Sequence, residues 1–116
     1  MPYRVERSVD TDHDLAAIFD FLLNNYMEFG DERGEALGRA AARIEAIEAE
    51  MLALGDVPHH GTLRSDLLPG LRSVTKQRAI FYFDVDDHLR LVRVLAIFFG
   101  GQDHQRAMLQ RLSNPE

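Results

Sequence analysis

The sequence predicts an α+β fold: an antiparallel helical hairpin packed on one face of a mostly antiparallel sheet, with an N-terminal strand before it and a short C-terminal helix after it. Three observations carry that prediction. Two long stretches, 12–29 and 31–54, place apolar residues at steps of three and four. A dense run, Ile80-Phe81-Tyr82-Phe83, is followed across Asp86-Asp87 by Leu89 to Phe99, which is apolar on both faces. The chain has 116 residues, 46% of them apolar, a length and a core supply that suit one domain spanning 1–116.

The elements follow in order. Tyr3 to Arg7 alternates apolar and charged residues, the pattern of a short half-buried strand. Asp10, Thr11, Asp12 and Asp14 then supply an N-cap and an acidic first turn. The stripe Leu15, Ile18, Phe19, Leu22, Tyr26 and Phe29 predicts a helix over 12–29, and Gly30 stops it. Asp31 is placed to cap a second helix, with the stripe Leu37, Ala40, Ile44, Ile47, Met51 and Leu54. That seam covers only about three heptads, so it reads as one wall of a hairpin rather than a free coiled coil. Gly34 and Gly38, one turn apart, mark either a close helix approach or a frayed start. Gly55 and Pro58 end the helix. Residues 55–70 read as loop. Strands are predicted from Leu71 to Thr75, Arg78 to Val85 and Leu89 to Phe99, the last in the middle of the sheet because both its faces are apolar. Gly100-Gly101 breaks it, Gln105 to Leu112 forms the terminal helix, and 113–116 fray.

Charge and composition exclude several functions. The chain carries 13 Lys+Arg and 19 Asp+Glu, a net charge of −6. The excess is uneven: residues 1–60 have 5 basic and 13 acidic groups, a net −8, and residues 61–116 have 8 and 6, a net +2. Such a chain is not expected to bind nucleic acid directly through bulk electrostatics. Twelve of the 13 basic residues are Arg, which favours oriented, bidentate contacts. With no Cys there is no disulfide and no thiolate metal site. The segment Met1–Glu6 lacks an apolar signal core, and no apolar run approaches the roughly 20 residues of a membrane span. A cytoplasmic protein with no membrane partner is expected.

Few residues carry chemistry. None of Ser8, Ser65, Ser73 and Ser113 lies in a nucleophile elbow, and no phosphate-cradling glycine motif is present. His59-His60 are neighbours that only a loop would aim at one ion. Asp84-Val85-Asp86-Asp87 fails as a calcium loop, because its sixth and twelfth positions hold Leu89 and Leu95. No metal site and no cofactor is expected. The arginines Arg72, Arg78, Arg90 and Arg93 fall on the predicted strands. Alternation puts Arg78 on one face with Ile80, Tyr82 and Asp84, and Arg93 with Leu91, Leu95, Ile97 and Phe99. An arginine among apolar neighbours pairs with a carboxylate or reaches a partner; both readings stand. Phe98 and Phe99 must face opposite sides of their strand. One is expected under the hairpin and the other free for a partner, unless the terminal helix covers it. Gln102, Asp103, His104 and Arg106 form a polar rim beside them. Asp103 caps the last helix, and His104 is either a surface residue beside that cap or a proton-transfer group.

The architecture, the Leu71-Arg72 start, the Arg78-Ala79-Ile80-Phe81-Tyr82 strand and the Phe98-Phe99-Gly100-Gly101-Gln102-Asp103 ending together resemble the RelE/ParE toxins of type II toxin–antitoxin modules, over Tyr3 to Leu112. The resemblance implies a toxin with a cognate antitoxin, ParD-like and of ribbon-helix-helix type, in a plasmid-stabilisation context. RelE-like members cut mRNA on the ribosome; ParE-like members act on DNA gyrase. The RelE pattern Arg-Ile-x-His-Gly reads Ala96-Ile97-Phe98-Phe99-Gly100 here. Neither Ala96 nor Phe99 can move a proton. The resemblance therefore favours a ParE-like gyrase inhibitor without catalytic residues, in which Arg72, Arg78, Arg93, Phe98, Phe99, Gln102, Asp103, His104 and Arg106 bind partners. The alternative is a ribosome-dependent endoribonuclease using Arg72, Arg78 and His104.

Overall fold

A computed structural model describes residues 2–100 and 103–113. In chain order the elements are β1 (Arg4–Arg7), α1 (Val9–Glu28), α2 (Arg33–Ala53), β2 (Thr62–Leu63), β3 (Arg72–Lys76), β4 (Ala79–Asp86), β5 (Leu91–Phe99) and α3 (His104–Ser113). They form one five-stranded sheet of order β1-β5-β4-β3-β2. The β1–β5 pair is parallel and the other pairs are antiparallel. This is the predicted α+β architecture, with β5 in the interior of the sheet. The short strand β2 was hidden in the stretch read as loop, because two exposed residues carry no periodicity.

The helical hairpin packs on one sheet face. Leu15, Ile18, Leu22, Ala40, Ile47 and Met51 meet Phe81, Phe83, Val92, Val94, Ile97 and Phe99. Each of these side chains larger than Ala40 contributes about 1.5–3 kcal/mol on full burial. The opposite face is covered by α3 and the loop before β3, where Met108 and Leu71 close over Ile80, Tyr82, Ala96 and Phe98. Phe98 and Phe99 thus face opposite sides, as alternation requires. Both are buried, at 5% and 8% exposure, so neither is free on the surface. The terminal helix covers the face that the sequence left open.

Three local expectations are corrected. Helix α1 starts earlier, at Val9, because Ser8 and not the Asp10–Asp14 cluster is its N-cap, with Ser8 Oγ accepting from Thr11 N at 3.1 Å. Asp31 does not cap α2. The cap position is Glu32, without a side-chain bond, and Asp31 instead pairs with Arg39 at 2.6 Å. Gly34 and Gly38 face open space, so they mediate no close helix approach. Close approach occurs at Gly55, where any Cβ would collide with the Tyr3 carbonyl. There the Tyr3 amide donates to the Gly55 carbonyl at 2.7 Å.

Two irregularities in the sheet set where Arg93 and Arg78 lie. The register of β4 and β5 runs Tyr82↔Ala96 and then Phe83↔Val94, leaving Leu95 as an extra residue. That bulge reverses the alternation along β5. Arg93 therefore lies opposite Asp84, on the other face from Ile97 and Phe99, contrary to the unbroken alternation read from sequence. The second irregularity is the β3–β4 turn. Lys76 pairs with Ala79, so the turn is two residues, Gln77 and Arg78, with φ of 55° and 63°. Both are left-handed, as a type I′ hairpin demands. Asn-Gly suits such a turn; non-glycine residues in this region cost about 1 kcal/mol or more each. Arg78 is thus a turn residue, not the strand residue expected.

Beyond Val94, among the described residues, no strand lies beside β5 on the β1 side, and α1 takes over that edge. Val94 O accepts from Ser8 N at 3.3 Å and Thr11 Oγ1 at 3.0 Å. Ile97 N donates to Asp14 Oδ2 at 3.0 Å. Arg111 of α3 clasps the same carboxylate with both terminal nitrogens, at 2.8 and 2.9 Å, and reaches Leu95 O at 3.5 Å. Removing the Asp14 side chain strands a backbone N–H and a half-buried guanidinium. Asp14→Ala is expected to cost about 2–4 kcal/mol, and Asp14→Asn less, because an amide oxygen still accepts from Ile97. Denaturant unfolding of both variants measures this; equal losses would mean that the backbone contact is not what matters.

Candidate functional site

The expected partner-binding residues separate into three places. Arg72, at the start of β3, donates to the His59 carbonyl at 2.9 Å and pins the preceding loop. His59 in turn meets Asp87 at 2.7 Å, and Tyr3 hydroxyl donates to that same carboxylate oxygen at 2.8 Å. The Tyr3 bond first, and His59 after it, hold the Asp87 carboxyl below the usual range. Arg93 is paired across the strands with Asp84 at 3.0 Å, an exposed pair of small worth. These contacts favour the structural reading for Arg72 and Arg93.

The second place is the covered sheet face. His104 does not lie free at the surface. Its Nδ1 is 2.7 Å from the Tyr82 hydroxyl. Arg64 lies on the other side of that hydroxyl, at 3.4 Å, and forks onto Asp66 at 3.1 and 3.2 Å. Burial raises the Tyr82 phenol above its ordinary value, with Arg64 opposing it, and the Arg64 hydrogen bond holds Asp66 low. Asp103 caps α3 as expected, its Oδ1 accepting from Arg106 N at 3.3 Å. Arg106 itself is exposed, and Gln102 lies outside the described residues, as do Gly101 and the segment 114–116.

The third place is a groove of about 810 Å³ between α1, the end of β5 and α3. Phe21, Phe98, Phe99 and Arg78 line it. Phe21 packs edge-on to Phe99 with centroids 6.1 Å apart. The Phe99 ring carries two guanidiniums, Arg43 at 5.4 Å and Arg78 at 5.6 Å, within cation–π range. Arg43 also donates to the Gln77 carbonyl at 2.8 Å, tying α2 to the strained turn. Sequence reasoning found Arg78, Phe98 and Phe99 here but missed Phe21, which the helical stripe leaves on its flank, and Arg43, which no short-range signal marks.

The residues named for RNA cleavage do not converge. Arg72 and Arg78 stand at opposite ends of β3, roughly 15 Å apart at the rise of a strand. His104 lies on the opposite sheet face, bonded to Tyr82. Among the described residues no group of three or more His, Asp or Glu side chains is placed to hold a metal ion.

No protein-family model matches the chain, and no curated protein does. Solved structures do. A chain of the chromosomal ParDE TA system from P. aeruginosa superposes with a TM-score of 0.65 at 19% identity, over 84% of this chain and 95% of that one. A chain of the toxin-antitoxin complex RelBE2 from Mycobacterium tuberculosis superposes with a TM-score of 0.61 at 16% identity, over 88% and 95%. The fold is therefore of the RelE/ParE type.

Two outcomes follow for this region. Phe98→Ala and Phe99→Ala should each destabilise by about 3–5 kcal/mol, since both rings are buried; a nearly neutral melt for either would contradict the packing. Tyr82 sets an alkaline limit. Its folded pKa is raised, so its contribution is complete below the ordinary value of about 10 and is lost as pH rises beyond it. The stability of Tyr82→Phe, followed by circular dichroism against pH, should fall less steeply above about pH 10 than that of the wild type.

Proposed function

We propose that the chain, as one domain spanning 1–116, is the toxin of a type II toxin–antitoxin module, ParE-like, which inhibits DNA gyrase by binding and is neutralised by a cognate antitoxin in the cytoplasm. The observation that carries the reading is the fold, shared over 95% of the length of chains from a ParDE and a RelBE2 assembly. The ParE-like branch rests on the positions that a RelE-like enzyme would use. Ala96 and Phe99 are both buried in the sheet and offer no proton-transfer group. Arg72 is committed to holding a loop. Among the described residues no helix is long and apolar enough to cross a membrane.

One observation favours the RelE-like reading. Arg64, Tyr82 and His104 set a guanidinium, a phenol and an imidazole in one chain of contacts, groups that can hold a phosphate and move a proton. Under that reading the enzyme would cut mRNA on the ribosome through these residues, and not through the scattered Arg72 and Arg78.

The two separate cleanly. Induced expression should arrest growth, and co-expression of the protein encoded by the adjoining gene should relieve it. Purified chain should inhibit supercoiling by gyrase and leave mRNA intact in a parallel translation reaction. Cleaved mRNA with untouched gyrase, abolished in His104→Ala, would move the protein to the RelE-like class.

A further inference from the structure

The groove beside Phe99 gathers two guanidiniums over one aromatic ring. Among the described residues, Arg4, Arg7, Arg39, Arg64, Arg93 and Arg111 each have a carboxylate within 4 Å. Arg33, Arg43, Arg72, Arg78, Arg90 and Arg106 do not, and of these six only Arg43 and Arg78 stand over the Phe99 ring, next to two acid-rich helices in a chain of net charge −6. Arg43 is also short of hydrogen bonds, its Nε being buried without a partner. Two cations over one ring repel each other, and an anion between them would relieve that.

Arg78 is held there at a conformational cost. It occupies a left-handed position, next to Gln77 in another, where glycine would be unstrained. Gln77, Arg78 and Arg90 are the non-glycine residues with positive φ among the described residues, and of the three only Arg78 lines the groove, where strain and a site coincide. Its guanidinium lines the groove. The apolar wall facing it is Phe21, 55% exposed on a helix whose Leu15, Ile18, Leu22 and Leu23 are buried. An exposed aromatic beside an unpaired arginine is the composition of a protein-binding hot spot.

We propose that this groove receives an apolar segment of the antitoxin bearing a carboxylate, with Phe21 as the apolar anchor and Arg78, backed by Arg43, as the contact for the acid. The inference rests on the toxin–antitoxin reading and gives it a place on the molecule. Charge complementarity selects the occupant: the one carboxylate in the lining, Asp14, is already bound by Arg111 and the Ile97 amide, which leaves Arg78 as a positive charge beside apolar area with no acid of the chain's own against it.

The test uses the full chain and the protein encoded by the adjoining gene as the probe, with affinity and the melting temperature of the free chain measured side by side. Arg78→Gly should weaken binding at least tenfold while leaving the melting temperature unchanged or higher, because it relieves the left-handed strain. Gln77→Gly should raise the melting temperature and leave binding unchanged. Phe21→Ala should weaken binding at least tenfold with little change in melting. Wild-type affinity in both Arg78→Gly and Phe21→Ala overturns the groove assignment and leaves the toxin reading intact. A lower melting temperature in Arg78→Gly makes its role structural and overturns the argument from strain. A concentration-dependent dimer of the free chain that Phe21→Ala abolishes assigns the groove to a second copy and overturns the choice of occupant. If the wild-type chain forms no complex and arrests no growth, the toxin reading falls and this inference with it.

Discussion

The carboxylate of Asp14 is the point on which the layers of this molecule meet. The central strand β5 outruns its parallel neighbour β1 by five residues, and a bulge at Leu95 interrupts its other side. An interior strand whose backbone groups lack partners is costly, because each buried orphan loses its hydration without compensation. The N-terminus of α1 supplies the missing acceptor, and Arg111 of α3 completes the clasp. The guanidinium is held even more firmly protonated by that carboxylate. One side chain thus fixes the hairpin on one face of the sheet and the terminal helix on the other. The groove that opens between them has Asp14 and Arg111 in its wall.

Much of this could be read from the sequence where a local rule governs. The apolar stripes of α1 and α2 and the doubly apolar β5 gave the helices, the central strand and the α+β class, because period and burial are coupled residue by residue. The N-cap was misplaced for a local reason. Ser8 and the following acids are all good caps, and what decides between them is where β1 lets go of β5, a contact with residues more than eighty positions away. Alternation likewise failed at one residue. Leu95 looks like any other strand leucine, so nothing marks it as the bulge that moves Arg93 away from Phe99.

The residues of the candidate site were legible to the same degree. Phe98 and Phe99 were placed on opposite faces correctly, since that follows from strand geometry alone. Their burial was not, because it depends on Met108 and Leu71 folding over the second face. His104 sits next to a helix cap in sequence and next to Tyr82 in space; only the packing of α3 shows the second fact. Arg43 and Arg78 come from different elements and meet over one ring, a relation that no spacing in the chain encodes.

The parallel pairing of β1 with β5 has a consequence for how the molecule comes into being. Arg4 lies beside Leu91 and Arg7 beside Val94. Among the described strands, β1 has no partner until β5 has been made. The α1–α2 hairpin can assemble early from local contacts, but closing the sheet must wait for a loop of nearly the whole chain, a slow kind of contact to form. A growing polypeptide therefore lacks its completed groove and its Asp14 clasp until synthesis has passed Arg111. The native surfaces arise together and late, once β5 and α3 have both been added.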